Sequence, residues 1–162
     1  MGFWFPQSRF ESWYLNFFLC KRALFPHFIV IMDTRKDIAA EKKRCNSHNC
    51  AQAVTCTYCD IAGLDERTAF DIAGAFGTGM GNMHGTCGAI VGAGMVLGMV
   101  TKDRNLSRAR MKTIMERFRE RNGATDCRSL KGVDTGKVVR DCPDCVADAC
   151  EFLEDFLSGS AE

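Results

Sequence analysis

The chain has 162 residues and a mass of 18.0 kDa, enough for one domain with a buried core and too little for two ordinary ones. Hydrophobic residues make up 46% and charged residues 25%, which excludes wholesale disorder, and a net charge of +1 gives no electrostatic basis for binding nucleic acid. Ten cysteines set the composition apart, so the readable chemistry is sulfur chemistry, and its meaning depends on compartment.

Residues 1–31 hold ten of the sixteen aromatic residues, among them Trp4, Trp13, Phe17 and Phe18. Lys21, Arg22, Pro26 and His27 interrupt the apolar patches, so no run approaches the roughly 18–20 residues of a membrane span. The basic start, single apolar block and small-residue cleavage site of a signal peptide do not occur in that order. Pro6 stands where a myristoylation pattern needs Ser or Thr. Three readings of this aromatic-rich extension stay open: an anchor at a membrane surface, a loosely ordered tail, or a stretch outside the functional protein. The last reading rests on the sharp change of composition at Met32. With no export signal legible, the expected localisation is cytoplasmic. Cysteines there serve metal binding or redox chemistry more often than structural disulfides.

From Met32 the chain reads as a single all-α domain over 32–158, a compact bundle of about five helices joined by glycine-rich turns. Residues 35–62 carry helical periodicity through Ile38, Ala39, Cys45, Ala53, Val54 and Ile61, with Gly63 as the stop. Asp65 opens a shorter helix through Ala75. The run from Cys87 to Val100 is uncharged and contains Gly88, Gly92, Gly94 and Gly98. Each glycine costs roughly 1 kcal/mol in a helix relative to Ala, so close packing is expected to require them. Gly88 with Gly92, and Ala89 with Ala93, put small residues on one face. This segment is expected to be a buried Gly-rich central helix, and its glycine face is compatible with a homo-oligomer contact. Residues 104–121 are basic and amphipathic through Met111, Ile114, Met115 and Phe118, with their arginines expected on a solvated face. An irregular stretch follows Gly123. A last amphipathic helix then begins near Cys142 and carries Val146, Ala149, Phe152, Leu153 and Phe156. No run alternates with period two, so no strand is expected.

Two cysteines stand at predicted helix starts. Cys87 opens the glycine-rich segment and Cys142, just before Pro143, opens the last helix; unpaired N–H groups there favour a thiolate. Cys142 and Cys145 form a Cys-x-x-Cys pair expected to face the core. Cys56 and Cys59 form another, read as one turn apart within a helix and suited either to a shared metal or to plain burial. The loop Phe76–Gly85 is rich in glycine but lacks a preceding strand and any Gly-Lys-Ser/Thr, so a nucleotide-binding reading is rejected. Its glycines are expected to let the backbone pass close to a sulfur site. His84 reads as an exposed loop residue or as a ligand beside Cys87.

Four blocks carry a resemblance. They are Asn49-Cys50-Ala51-Gln52-Ala53-Val54, Cys87-Gly88-Ala89 with Gly92-Ala93, Cys127-Arg128 with Leu130, Gly132 and Asp134, and Cys142-Pro143. In this order the chain resembles the C_GCAxxG_C_C family of small cysteine-motif proteins, described as redox-active. The resemblance covers about residues 33–157 and implies that Cys50, Cys87, Cys127 and Cys142 are the functional set, without supplying a reaction. His84-Gly85 departs from the family's pattern in the loop before the second cysteine, and Cys45, Cys145 and Cys150 appear as additions.

The four cysteines are separated by 37, 40 and 15 residues, so only folding can unite them. If all converge, a thiolate-bound metal or iron–sulfur cluster is the natural occupant, with Cys50, Cys87, Cys127, Cys142 and Cys145 as candidate ligands. If they converge in pairs, dithiol–disulfide exchange follows, with Cys87 and Cys142 attacking and Cys50 and Cys127 as their partners. Either way a redox partner is implied. The competing class is a non-catalytic binding or structural protein whose helices are held by zinc at the 56/59 and 142/145 pairs.

Overall fold

The computed structural model describes residues 34–159, and the aromatic extension over 1–31 lies outside them. Helix α1 spans Arg35–Arg44 and is opened by a capping box in which Thr34 and Asp37 satisfy each other's backbone N–H groups. The single helix expected over 35–62 is in fact three. Asn46 adopts a left-handed φ of 53°, which ends α1, and Asn49 starts α2 (Cys50–Thr57) with a second capping box to Gln52. Tyr58, with φ −114° and ψ 14°, then separates α2 from the single turn of α3 (Cys59–Ala62). Cys56 and Cys59 therefore do not share one continuous helix. Gly63 closes α3 in the left-handed conformation, as its sequence position suggested.

Asp65 caps α4 (Glu66–Ile72), which gives way to a 3₁₀ turn at Gly74–Phe76 where a continuous helix to Ala75 was expected. The glycine-rich segment is α5 (Gly88–Thr101), followed by α6 (Arg104–Asn122), capped by Asp103 and closed by Gly123. A short α7 (Cys127–Leu130) lies inside the stretch read as irregular, with Asp126 as its cap. Helix α8 runs over Cys142–Leu157, with Pro143 in its second position. The domain is all-α, as the periodicity indicated. Its described residues form eight α-helices rather than about five, and five of them are eight residues or longer. The described residues hold no strand, only an isolated bridge between Thr86 and Asp126.

Helix α8 packs against α1, α2, α5 and α6, and α2 packs against α5. Val54, Tyr58, Ile90, Leu97, Ile114, Phe118, Phe152 and Leu153 form the core between them. One face of α5 is buried, whereas Met99 and Val100 in its last turn are exposed, so the helix is covered on one side and not enclosed. The close approach expected of its glycines occurs at its first half. A Cβ on Gly88 would meet the Phe76 carbonyl oxygen at 2.6 Å, and one on Gly92 the Ala51 carbonyl oxygen at 2.7 Å. Gly98 has nothing within 4 Å.

The basic face of α6 is less solvated than expected. Arg117 pairs with Asp155 at 2.6 Å, and Arg121 reaches Asp148 at 3.1 Å and Glu151 at 2.8 Å. Both guanidinium groups lie over the Phe152 ring, at 4.5 and 4.3 Å from its centroid. Between α7 and α8 the chain makes a turn in which residues 133–139 are exposed, closed by hydrogen bonds from the Val139 and Arg140 N–H groups to the Leu130 carbonyl. Among the described residues no helix is long and apolar enough to cross a membrane.

Candidate functional site: a five-cysteine cavity

Local capping chemistry sets the positions of the motif cysteines. Cys50 is the first residue of α2, Cys127 of α7 and Cys142 of α8, while Cys87 is the N-cap of α5. Three of the four follow an Asn or Asp N-cap directly: Asn49, Asp126 and Asp141. Four helix starts thus bring their sulfurs to one place. Sequence reasoning singled out Cys87 and Cys142 for this property and missed Cys50 and Cys127. The recurring Asx-Cys dipeptide was the signal that could have found them.

Those four sulfurs and Cys145 line a cavity of about 40 Å³. Lys43, Lys131, Arg140, Asn49, Thr78, Gly88 and Leu130 complete its wall, and no carboxylate is among them. The lysines and the arginine, which sequence reasoning did not assign to the site, give the wall a positive bias that suits thiolates. Arg140 is itself held by the buried Asp148 carboxylate through two hydrogen bonds of 3.0 and 3.1 Å. The loop ahead of Cys87 is stitched to the α7 segment: the Cys87 N–H donates to the Thr125 carbonyl at 2.7 Å, and the Cys127 N–H to the Gly85 carbonyl at 3.2 Å. Gly79, at φ +55°, passes so close to Cys127 that a Cβ there would lie 2.7 Å from the cysteine Cβ. The expected role of the loop glycines beside a sulfur site is met at that residue.

The sulfurs are arranged as pairs. The Cys50 thiol beside the Cys142 sulfur lowers the Cys142 pKa from 9.0 to about 6 against the opposing effect of burial; Lys131 and Lys43 assist. Cys50 is driven up correspondingly, by Cys142 and then by its own desolvation. In the second pair Cys145 lowers the neighbouring Cys87 despite burial, with the first-turn N–H groups of Ala89 and Ile90 helping, while Cys145, whose thiol donates to the Arg140 carbonyl at 3.8 Å, is raised. Each pair therefore holds one proton readily and releases the other. Cys127 lines the same cavity, and burial raises its pKa.

Cys50 and Cys127 were expected as the partners of Cys87 and Cys142; the thiol that lowers Cys87 is that of Cys145, one of the cysteines read as additions. The remaining cysteines lie elsewhere. Burial pushes Cys56 up to about 12 and also raises Cys59. Cys150 is fully buried in the core beside Tyr58. Cys45, at the C-cap of α1, and the exposed His84 are not among the cavity residues.

Five thiols are suitable donors for zinc or an iron–sulfur centre. Their placement does not fit one: among the described residues no group of three or more Cys, His, Asp or Glu side chains is positioned to hold a metal ion. The two Cys-x-x-Cys pairs likewise do not come together as a zinc site.

Searches of curated proteins and of solved structures find no match to the chain. A family model described as "Putative redox-active protein (C_GCAxxG_C_C)" matches residues 48–156, a span that includes all five cavity cysteines. With two thirds of its length under that match, and with the motif sulfurs gathered at one cavity, the chain belongs to the C_GCAxxG_C_C family.

Proposed function

We propose that the chain is a thiol–disulfide redox protein in which Cys142 is the attacking thiolate and Cys50 the resolving thiol. The observation that carries this reading is the pair at the cavity: the half-buried Cys142 and the buried Cys50 line one small space, and Cys50 holds the Cys142 thiol well below its ordinary pKa. A thiolate, not a thiol, attacks a disulfide, and a second sulfur within reach must then release the mixed disulfide.

Cys142 Sγ attacks one sulfur of a substrate disulfide and expels the other as a thiolate. Cys50 gives up its proton, attacks Cys142 Sγ and expels the second substrate thiolate. Two electrons pass to the substrate and a Cys50–Cys142 disulfide remains. Run backwards, the same steps oxidise a dithiol partner. Lys131 and Lys43, both in the cavity wall with Cys142, stabilise the negative charge that forms there in both directions.

The test is anaerobic purification of the full chain, with iron, zinc and sulfide analysis and a free-thiol count before and after mild oxidation. The expected result is no stoichiometric metal and a count that falls by two or four, with Cys50–Cys142 among the disulfides. Stoichiometric iron with visible absorption would make the cavity an electron-transfer centre instead. Stoichiometric zinc, with unfolding on chelation, would make the cysteines structural, and either outcome overturns the exchange reading.

A further inference from the structure

The two thiol pairs differ in access. Cys142 is half-buried, whereas Cys87 and Cys145 are only 4% and 2% exposed. A cavity of about 40 Å³ has room for a few waters and not for a peptide disulfide. We propose that Cys87 and Cys145 form a second, internal redox pair, which exchanges with disulfide substrates only through Cys142. The inference rests on the dithiol reading of the cavity.

Two placements support it. Cys142 and Cys145 are three residues apart in α8, so both side chains lie on one helix face, towards the cavity that Cys87 also lines. Cys87 and Cys142 both line that cavity, whose volume of about 40 Å³ keeps the two residues close. The transfer follows from the disulfide left by substrate. Cys87 Sγ, as thiolate, attacks Cys142 Sγ and expels Cys50, which takes up a proton. Cys145 then loses its proton, attacks Cys87 Sγ and expels Cys142 as a thiolate. The outer pair is again reduced, the inner pair is a disulfide, and the two electrons have moved from the inner pair to the outer one. The centre thus stores four reducing electrons, and Cys142 is ready for a second substrate. Cys127 lines the same space and takes no part in this exchange.

The full chain, reduced and freed of reductant, is treated with oxidised glutathione, whose bulk restricts it, among the cavity thiols, to Cys142. After acid quenching and alkylation, cleavage before aspartate places Cys142, Cys145 and Cys150 on separate peptides, 141–143, 144–147 and 148–154. The Cys50–Cys142 disulfide is expected first and Cys87–Cys145 after it. In Cys145→Ala, a Cys87–Cys142 disulfide should accumulate, because the thiol that resolves it is gone. In Cys142→Ser, a change at a half-buried helix start, Cys87–Cys145 should form about ten-fold more slowly or less. Formation at the wild-type rate in that variant, or an inner pair that stays reduced in the wild type while Cys50–Cys142 forms, overturns the relay and leaves the exchange reading standing. Failure of Cys50–Cys142 itself to form overturns both.

Discussion

At Cys142 the neighbouring Cys50 thiol outweighs burial. The Cys50 thiol, followed by the positive charges of Lys131 and Lys43, brings Cys142 from 9.0 to about 6. Its alkylation by iodoacetamide should therefore rise with pH about a midpoint near 6. Cys50→Ala removes that thiol and should move that midpoint upward, and an unmoved midpoint would contradict the pairing. Stability has the same origin. Between about 6 and 9 the unfolded chain still binds the proton that folded Cys142 has released, so stability rises with pH across that window. This contribution is lost as pH falls through about 6, and urea unfolding at several pH values should show a shallower slope in Cys50→Ala. Helix-start chemistry pointed to Cys142 and Cys87, the two cavity thiols whose pKa is lowered. Which sulfurs lie side by side was not legible. Cys50 and Cys142 are 92 residues apart and Cys87 and Cys145 are 58 apart, and no local pattern encodes such contacts.

Helix α5 shows how the same residue type can serve opposite ends within one element. Gly88→Ala would drive a methyl group against the Phe76 carbonyl at 2.6 Å and should destabilise the protein by about 1–3 kcal/mol. Gly98→Ala meets nothing within 4 Å and should stabilise it by about 0.5–1 kcal/mol through helix propensity alone. Thermal unfolding of the two variants should shift in opposite directions, and a loss of similar size at both sites would mean that α5 is covered along its whole length. The small-residue spacing correctly indicated the contact with α2, because Gly88 and Gly92 fall one turn apart. It could not tell Gly98 from the others, since the pattern records size and not what stands opposite. The break between α1 and α2 was missed for a different reason. Hydrophobic periodicity resumes after Asn49 nearly in phase, while the signals that interrupt it are the left-handed Asn46 and the Asn49–Gln52 capping box.

Over the whole molecule the cavity is assembled where α2, α5, α7 and α8 begin, and α8 is held in place by a charged collar as well as by the core. Arg117 and Arg121 from α6 grip Asp155, Asp148 and Glu151, and Lys36 from α1 reaches Glu151 at 3.0 Å. Asp148 also anchors Arg140 in the cavity wall, so the collar and the sulfur site share a residue. Amphipathic pattern alone identified α8 as a core helix. Its charged grip was invisible because an arginine-rich face looks the same in sequence whether it meets water or a neighbouring helix. The exposed turn over 133–139 delivers α8 to this arrangement, and its position has a practical consequence. Limited trypsin cleavage after the exposed Lys137 would leave Cys50 and Cys87 on one fragment and Cys142 and Cys145 on the other. Both proposed disulfides would then bridge the cut, and the nicked protein should run as two bands on a denaturing gel when reduced and as one when oxidised, turning the redox state of the cavity into a difference in apparent size.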